Sequence, residues 1–307
     1  MKPLTWNRAL LWLAAGMALL AVASIVGALV DAREVGGVNL WLKPLKFALS
    51  IGIYAVSLAW VLELLGRRRF SRIVSAVSIA GLVIEVVIIV GAAAFGLASH
   101  FNVSTPLHSA LWSIMAVSIV VVWVVALIVA IALFRTDLGD PARSLAIRAG
   151  AIIAVVGMGL AFLMTSPTAQ QLASFQGIAG AHAVGVADGG PGIPLLGWST
   201  VAGDLRIPHF VGMHALQVLP LLIVAIELLA RRFSTLRDAR VRFRLVAIAV
   251  VTYVATLAVL TWQALSGQSI VHPAGAVLVV GTALAAAVLI AIVAVIARRR
   301  VERPART

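Results

Sequence analysis

Residues 46–97 read KFALSIGIYAVSLAWVLELLGRRRFSRIVSAVSIAGLVIEVVIIVGAAAFGL. Two apolar runs, 46–66 and 73–97, flank a short gap that carries Arg67, Arg68, Arg69 and Arg72. Each run meets the length of about 20 residues that a helix needs to cross a hydrocarbon core of about 30 Å. The stretch therefore predicts two membrane-spanning helices that share an arginine-rich end.

The same pattern recurs outward from it in both directions. Eight apolar runs are long enough to span, at about 9–30, 46–66, 73–97, 109–134, 145–165, 207–230, 244–266 and 276–297. The chain is 62% hydrophobic and only 11% charged, far from the balance of a soluble globular protein. The expectation is an all-α polytopic membrane protein with eight transmembrane helices. Residues 1–134 would form one half with four helices. Residues 135–307 would form a second half with four more helices and a long outer loop at 166–206.

Charge sets the expected orientation. The basic clusters Arg67–Arg72, Arg135–Arg148, Arg231–Arg244 and Arg298–Arg306, with Lys2 and Arg8, place 20 of the 24 basic residues on one side. By the positive-inside bias that side is cytoplasmic, with both termini inside and the protein in the cell membrane. The same bias accounts for the formal charge of +13, so nucleic acid is not an expected partner; membrane lipids are, and a homo-oligomer is compatible. The first apolar run is longer than the h-region of a signal peptide and reads as a retained helix.

Cysteine is absent, which excludes disulfides, thiolate catalysis and cysteine-held metal clusters. No phosphate-binding Gly-Lys-Ser/Thr loop, His-Glu-x-x-His helix or Gly-x-Ser-x-Gly elbow occurs, so a nucleotide-driven pump is not indicated. Within the long loop, Thr168–Gly180 is a candidate surface helix, and Asp188–Ile193 reads as turns.

A faint internal repeat supports two parallel four-helix halves. Leu42-Lys43-Pro44-Leu45-Lys46-Phe47 enters the second span and Leu205-Arg206-Ile207-Pro208-His209-Phe210 enters the sixth. Both exits read Glu-Leu-Leu followed by Arg-Arg-Phe-Ser, at Glu63 and at Glu227. Such repeats are related by an axis along the membrane normal in some transporter folds.

The candidate functional residues lie at the outer ends. All six histidines, His100, His108, His182, His209, His214 and His272, fall there. So do Lys43, Lys46, Arg33 and Arg206, the basic residues that the inner side leaves over. Lys43 with Lys46, and Arg206 with His209, are pairs spaced three apart at helix N-termini, where unpaired N–H groups and the helix dipole favour an anion. Asp204 reads as the N-cap of the sixth span. Along that span Arg206, Phe210, His214 and Gln217 form one stripe, with His209 on a different face. Gln263 follows the seventh span. Trp41, Trp112, Trp198 and Trp262 near the outer boundary read as an aromatic belt.

Glu85 is the acidic residue nearest the middle of a span, in Val83-Ile84-Glu85-Val86-Val87. A carboxylate at that depth costs roughly 2.5–3.5 kcal/mol on insertion scales, so it is either protonated or paired inward, with Lys46 or His214 as counter-charge. As a candidate catalytic or proton-carrying group it stands alone.

These residues leave three readings. The first is an outward-facing site of Lys43, Lys46, Arg206, His209, His214, Gln217 and Gln263 that binds or transports a small anion or an anionic lipid headgroup, with Glu85 and His214 coupling protons. The second is a redox protein with b-type haem or a quinone at the outer face, His214 pairing with His100 or His272 as axial ligands. The third is an intramembrane metal-dependent hydrolase in which His100, His209 or His214 joins Glu85 around a metal. The sequence leaves open whether the protein is an enzyme, and whether it assists assembly of another membrane complex.

Overall fold

The computed structural model describes residues 6–301. Lys2, Arg303 and Arg306, counted above among the inner-side cations, lie outside them. The elements in chain order are α1 (Arg8–Val30), α2 (Leu42–Leu65), α3 (Arg68–Ala94), α4 (Pro106–Phe134), α5 (Pro141–Gly159), a single-turn α6 (Ala169–Ala173), α7 (Arg206–Met213), α8 (Ala215–Leu229), α9 (Ala239–Leu265) and α10 (Gly275–Val301). Among the described residues seven helices are long and apolar enough to cross a membrane. They are eight if α7 and α8, which meet at a bend of 45°, count as one broken span. The fold is all-α and polytopic.

Local chemistry sets the helix limits. Asn7 caps α1 by accepting from the Leu10 N–H. Asp140 accepts from Ala142 and Arg143 N–H ahead of Pro141, whose missing donor costs nothing in a first turn. Asp238 does the same for α9 through Arg240 N–H. Gly66, left-handed at φ 62°, ends α2 and lets α3 start two residues later.

The chain divides into two compact units, residues 1–132 with 162–201, and residues 133–161 with 202–307. In the first, α1 and α2 run antiparallel. Gly27 lies against the Trp41 ring, and ten residues earlier Met17 meets Gly52 on the other helix. A two-residue hairpin joins them, β1 (Glu34–Val35) paired with β2 (Val38–Asn39), with Gly36 and Gly37 both at positive φ as a primed turn demands. α3 packs on α2, and Gly81 of α3 faces the Ser118 carbonyl of α4. The loop 162–201 is tied into this unit by Val103 N–H to Gly177 O (2.8 Å) and Ala179 N–H to Phe101 O (2.8 Å), and is closed on itself by Ala181 N–H to Met164 O (3.0 Å). Of the surface helix expected over Thr168–Gly180 only Ala169–Ala173 forms, under a Thr168–Gln171 capping box. Gly177 and Gly180, at φ 83° and 135°, take the chain out of helical space.

In the second unit α5 is the hub for α7, α8 and α9, and α10 packs on α9. Small residues let the backbones meet: a Cβ on Gly157 would strike Gly212, and one on Gly150 would strike the Ala215 carbonyl. Ala142, Ala146, Ile153, Ala215, Leu219, Ile223 and Val246 close the core around them. The sixth predicted span, 207–230, is thus not one straight helix. At His214 the Gln217 N–H turns to the His214 carbonyl (3.0 Å) instead of that of Met213, and Pro220, which has no N–H, follows one and a half turns later.

Candidate functional site

Glu85 lies on α3 nine residues before its end, about 13 Å along the axis. Its side chain is 3% exposed, and Oε1 is 3.3 Å from His100 Nε2. His100 is carried by the turn that follows α3. There Phe101 is held at φ 63°, a left-handed conformation that costs a bulky residue of order 1–3 kcal/mol and that clusters at functional sites. The turn sends both rings inward: the His100 side chain is 17% exposed and Phe101 is buried.

Aromatic rings enclose the imidazole. Phe47 of α2 and Trp112 of α4 each lie 5.4 Å from it between centroids, and Phe101 lies at 6.0 Å. Phe101 in turn packs on Trp112 at 5.2 Å and on His182 of the long loop at 5.1 Å. His182 is held by Asp188, its Nδ1–H donating to Oδ2 at 2.6 Å. The other His100 nitrogen, Nδ1, is 3.2 Å from the Ser99 hydroxyl. Lys43, in the first turn of α2, is within electrostatic reach of both Glu85 and His100.

The environment fixes charge states outside the spans. Burial, then the charges of Lys43 and His182, hold the His100 pKa well below the usual 6.5, so the ring is neutral. Burial works against ionisation of Asp188, but the His182 hydrogen bond and charge and the N–H groups of Ala183 and His182 outweigh it and hold the carboxyl at about 2. A neutral imidazole between a hydroxyl and a carboxyl has two complementary arrangements. When Glu85 is ionised, Nε2 carries the hydrogen toward it and Nδ1 accepts from Ser99. When Glu85 is protonated, Nε2 accepts and Nδ1 donates to Ser99. The second oxygen of Glu85, Oε2, is buried without a hydrogen-bond partner.

Several sequence expectations are revised by this geometry. His100 and His182, placed by the sequence only at the outer ends, are drawn inward onto Phe101. Trp41 and Trp112 are not simply belt residues: Trp41 Nε1–H donates to Asp31 (3.1 Å), and Trp112 walls His100. The partner of Glu85 within its unit is His100 beside Lys43; Lys46 instead donates to the Leu196 carbonyl at 3.2 Å.

The remaining candidates belong to the second unit. Asp204 does accept from the Arg206 N–H (3.0 Å), although α7 starts one residue later than a cap at Asp204 requires, and it also takes the Arg206 guanidinium at 2.6 Å. His209 Nδ1–H donates to the Gly157 carbonyl at 2.8 Å, across the close approach of α5 and α7. The expected stripe holds through the bend: Phe210 packs near His214, whose Nδ1 is 3.3 Å from Gln217 Oε1. Gln263 is buried and donates to Ser269 O (2.8 Å); His272 is exposed in the turn beyond α9. Among the described residues no three His, Asp or Glu side chains converge as a metal site.

The helices define a class, the multi-pass helical membrane protein. Comparison with protein-family models, curated proteins and solved structures finds no match, so no family is assigned.

Proposed function

We propose that this chain binds a small anion at the non-arginine end of its first unit and takes up a proton on Glu85 as it does so. The observation that carries the reading is the buried Glu85–His100 pair with Lys43 beside it, inside a cage of Phe47, Phe101 and Trp112. A half-buried cation is stabilised by a counter-charge. Glu85 contributes negative charge near Lys43 when ionised; once Glu85 is protonated, an external anion supplies negative charge there instead. Proton and anion therefore bind together, and the two His100 tautomers give the proton a route to Glu85 from Ser99.

The arginine-rich helix ends support a cell-membrane protein with cytoplasmic termini, which puts the cage on the outer side. Inorganic phosphate and acetate are suitable probes, with vesicles containing anionic lipid as the arm that distinguishes a headgroup from a free anion. Titrated into detergent-purified protein in weak buffer, the probe that binds should take up about one proton per anion, and its affinity should fall up to tenfold per pH unit above the Glu85 transition. Glu85→Gln should bind without pH dependence, and Lys43→Ala should lose binding. Undiminished affinity in Lys43→Ala, or a retained pH slope in Glu85→Gln, rejects the reading. A reduced-minus-oxidised absorption spectrum of the same sample tests the haem alternative, which finds less support because both His100 nitrogens already have neighbours.

A further inference from the structure

Four buried side-chain oxygens within the helices of the first unit lack a hydrogen-bond partner: Ser24 Oγ, Tyr54 OH, Ser78 Oγ and Glu85 Oε2. An unpaired polar group in an apolar interior bears the full loss of its hydration, and proteins commonly meet that need with ordered water. Their positions are not scattered. Ser75, Ser78 and Glu85 recur along one buried face of α3. Near the arginine-rich end Asn7 Nδ2–H donates to Ser75 Oγ at 3.0 Å, and Ser75 donates to Arg72 O at 3.1 Å. One turn further on, the Tyr54 hydroxyl from α2 lies against that of Ser78 without hydrogen-bond geometry. Glu85 follows two turns later, about 10 Å along the axis.

We infer that Ser78, Tyr54 and Glu85 hold a file of internal water between α2 and α3, and that protons pass along it between the arginine-rich end and Glu85. A serine or tyrosine hydroxyl accepts one proton from a water and releases its own to the next, so it relays charge without keeping it. Glu85 is the group that stores the proton, facing Lys43 from α2 and His100 from the following turn, and His100 passes it on by exchanging tautomers. The inference rests on the reading of Glu85 as a proton carrier. It adds a second access route, from the opposite side to the anion, so that a proton held at Glu85 can leave to either side.

The test is proton flux through the full-length chain in proteoliposomes carrying an internal pH dye, driven by a potassium diffusion potential. Wild type should conduct above empty vesicles. Tyr54→Phe and Ser78→Ala should each cut the flux at least tenfold, Glu85→Gln should abolish it, and Ser78→Thr, which keeps a hydroxyl, should retain it. Tyr54→Phe and Ser78→Ala should bind the anion probe like wild type, because the outer route to Glu85 is intact. A wild type that does not conduct, a Tyr54→Phe/Ser78→Ala double variant that conducts normally, or a Ser78→Thr as defective as Ser78→Ala overturns the water file. Flux that depends on the hydroxyls in a protein that binds neither phosphate nor acetate rejects the anion reading while leaving the file standing.

Discussion

Acidification should destabilise this protein through His100, in a direction the structure fixes. In the folded state burial, with Lys43 and His182, holds the ring well below 6.5; in the unfolded chain it titrates normally. The folded pKa is depressed, so below 6.5 the unfolded state binds a proton that the folded state refuses. Stability is intact above that value and is lost as pH falls. One full unit below 6.5 the loss can reach at most about 1.4 kcal/mol, the ceiling set by a folded ring that binds no proton there. His100→Gln removes the titration while keeping an amide near Ser99 and Glu85. Other titrating groups, Asp188 and Glu85 included, are common to both proteins, so the difference between the two pH profiles isolates the ring. The assay is the unfolding free energy in detergent, from denaturant midpoints at pH 7.5, 6.5, 5.5 and 4.5. Wild type should lose more stability than His100→Gln by pH 5.5, up to about 1.4 kcal/mol. Parallel profiles would mean that His100 meets water, and relative stabilisation of wild type in acid would mean that it protonates in place as an ion pair with Glu85; either result refutes the neutral, caged imidazole.

Gly157→Val should cost about 2–4 kcal/mol, from overpacking against Gly212 and strain on the bond between His209 and the Gly157 carbonyl, whereas Gly91→Ala, with nothing within 4 Å of the new Cβ, should be neutral or stabilising; equal unfolding midpoints would refute the contact. Asp188→Asn should loosen the loop 162–201 and raise its rate of limited proteolysis several-fold at neutral pH. In wild type the same loosening should appear only as pH falls below 3.8 toward 2, where the carboxyl that Asp188 keeps ionised finally protonates. Arg143→Ala should change stability by less than about 1 kcal/mol although its bonds to Glu227 are short, 2.6 and 2.7 Å, because the arginine side chain is 55% exposed; a larger loss in a double-mutant cycle would show that the pair is shielded from water.

The spans were legible because hydropathy and length are properties of each run alone. The break at His214 was not. Pro220 marks the helix as weak, but the bend itself depends on tertiary contact, with Gly212 pressed on Gly157 from 55 residues away in the chain. Glu85 was singled out by its cost in an apolar run, yet its partner was not, since Lys46 and His214 are as near to it by helical counting as His100 is by loop counting. The turn that decides the matter is the left-handed Phe101, a conformation that no propensity scale assigns to phenylalanine. His182 was hidden for the same reason: a histidine among glycines looks solvated until the loop that carries it is seen folded back on Phe101.

The outer cations illustrate why counting charges at helix N-termini overstates an anion site. Arg206 has a carboxylate two residues away and a planar fork that fits it, so its charge is met by Asp204 whether or not a ligand comes. Lys46 reaches a loop carbonyl, and the Nδ1 hydrogen of His209 is committed to the Gly157 carbonyl; both contacts hold backbone together. Lys43 differs in what surrounds it. Glu85 and His100 both lie within its electrostatic reach, so on the proposed reading the charge balance at Lys43 changes with the state of Glu85. Anion binding there would be conditional on that state, whereas at Arg206 the Asp204 carboxylate would have to be displaced. If Lys46→Ala and Arg206→Ala leave phosphate and acetate affinity unchanged while Lys43→Ala abolishes it, the selection is made by the protonatable partner and not by the helix N-terminus. Equal losses in all three would return the site to the helix ends.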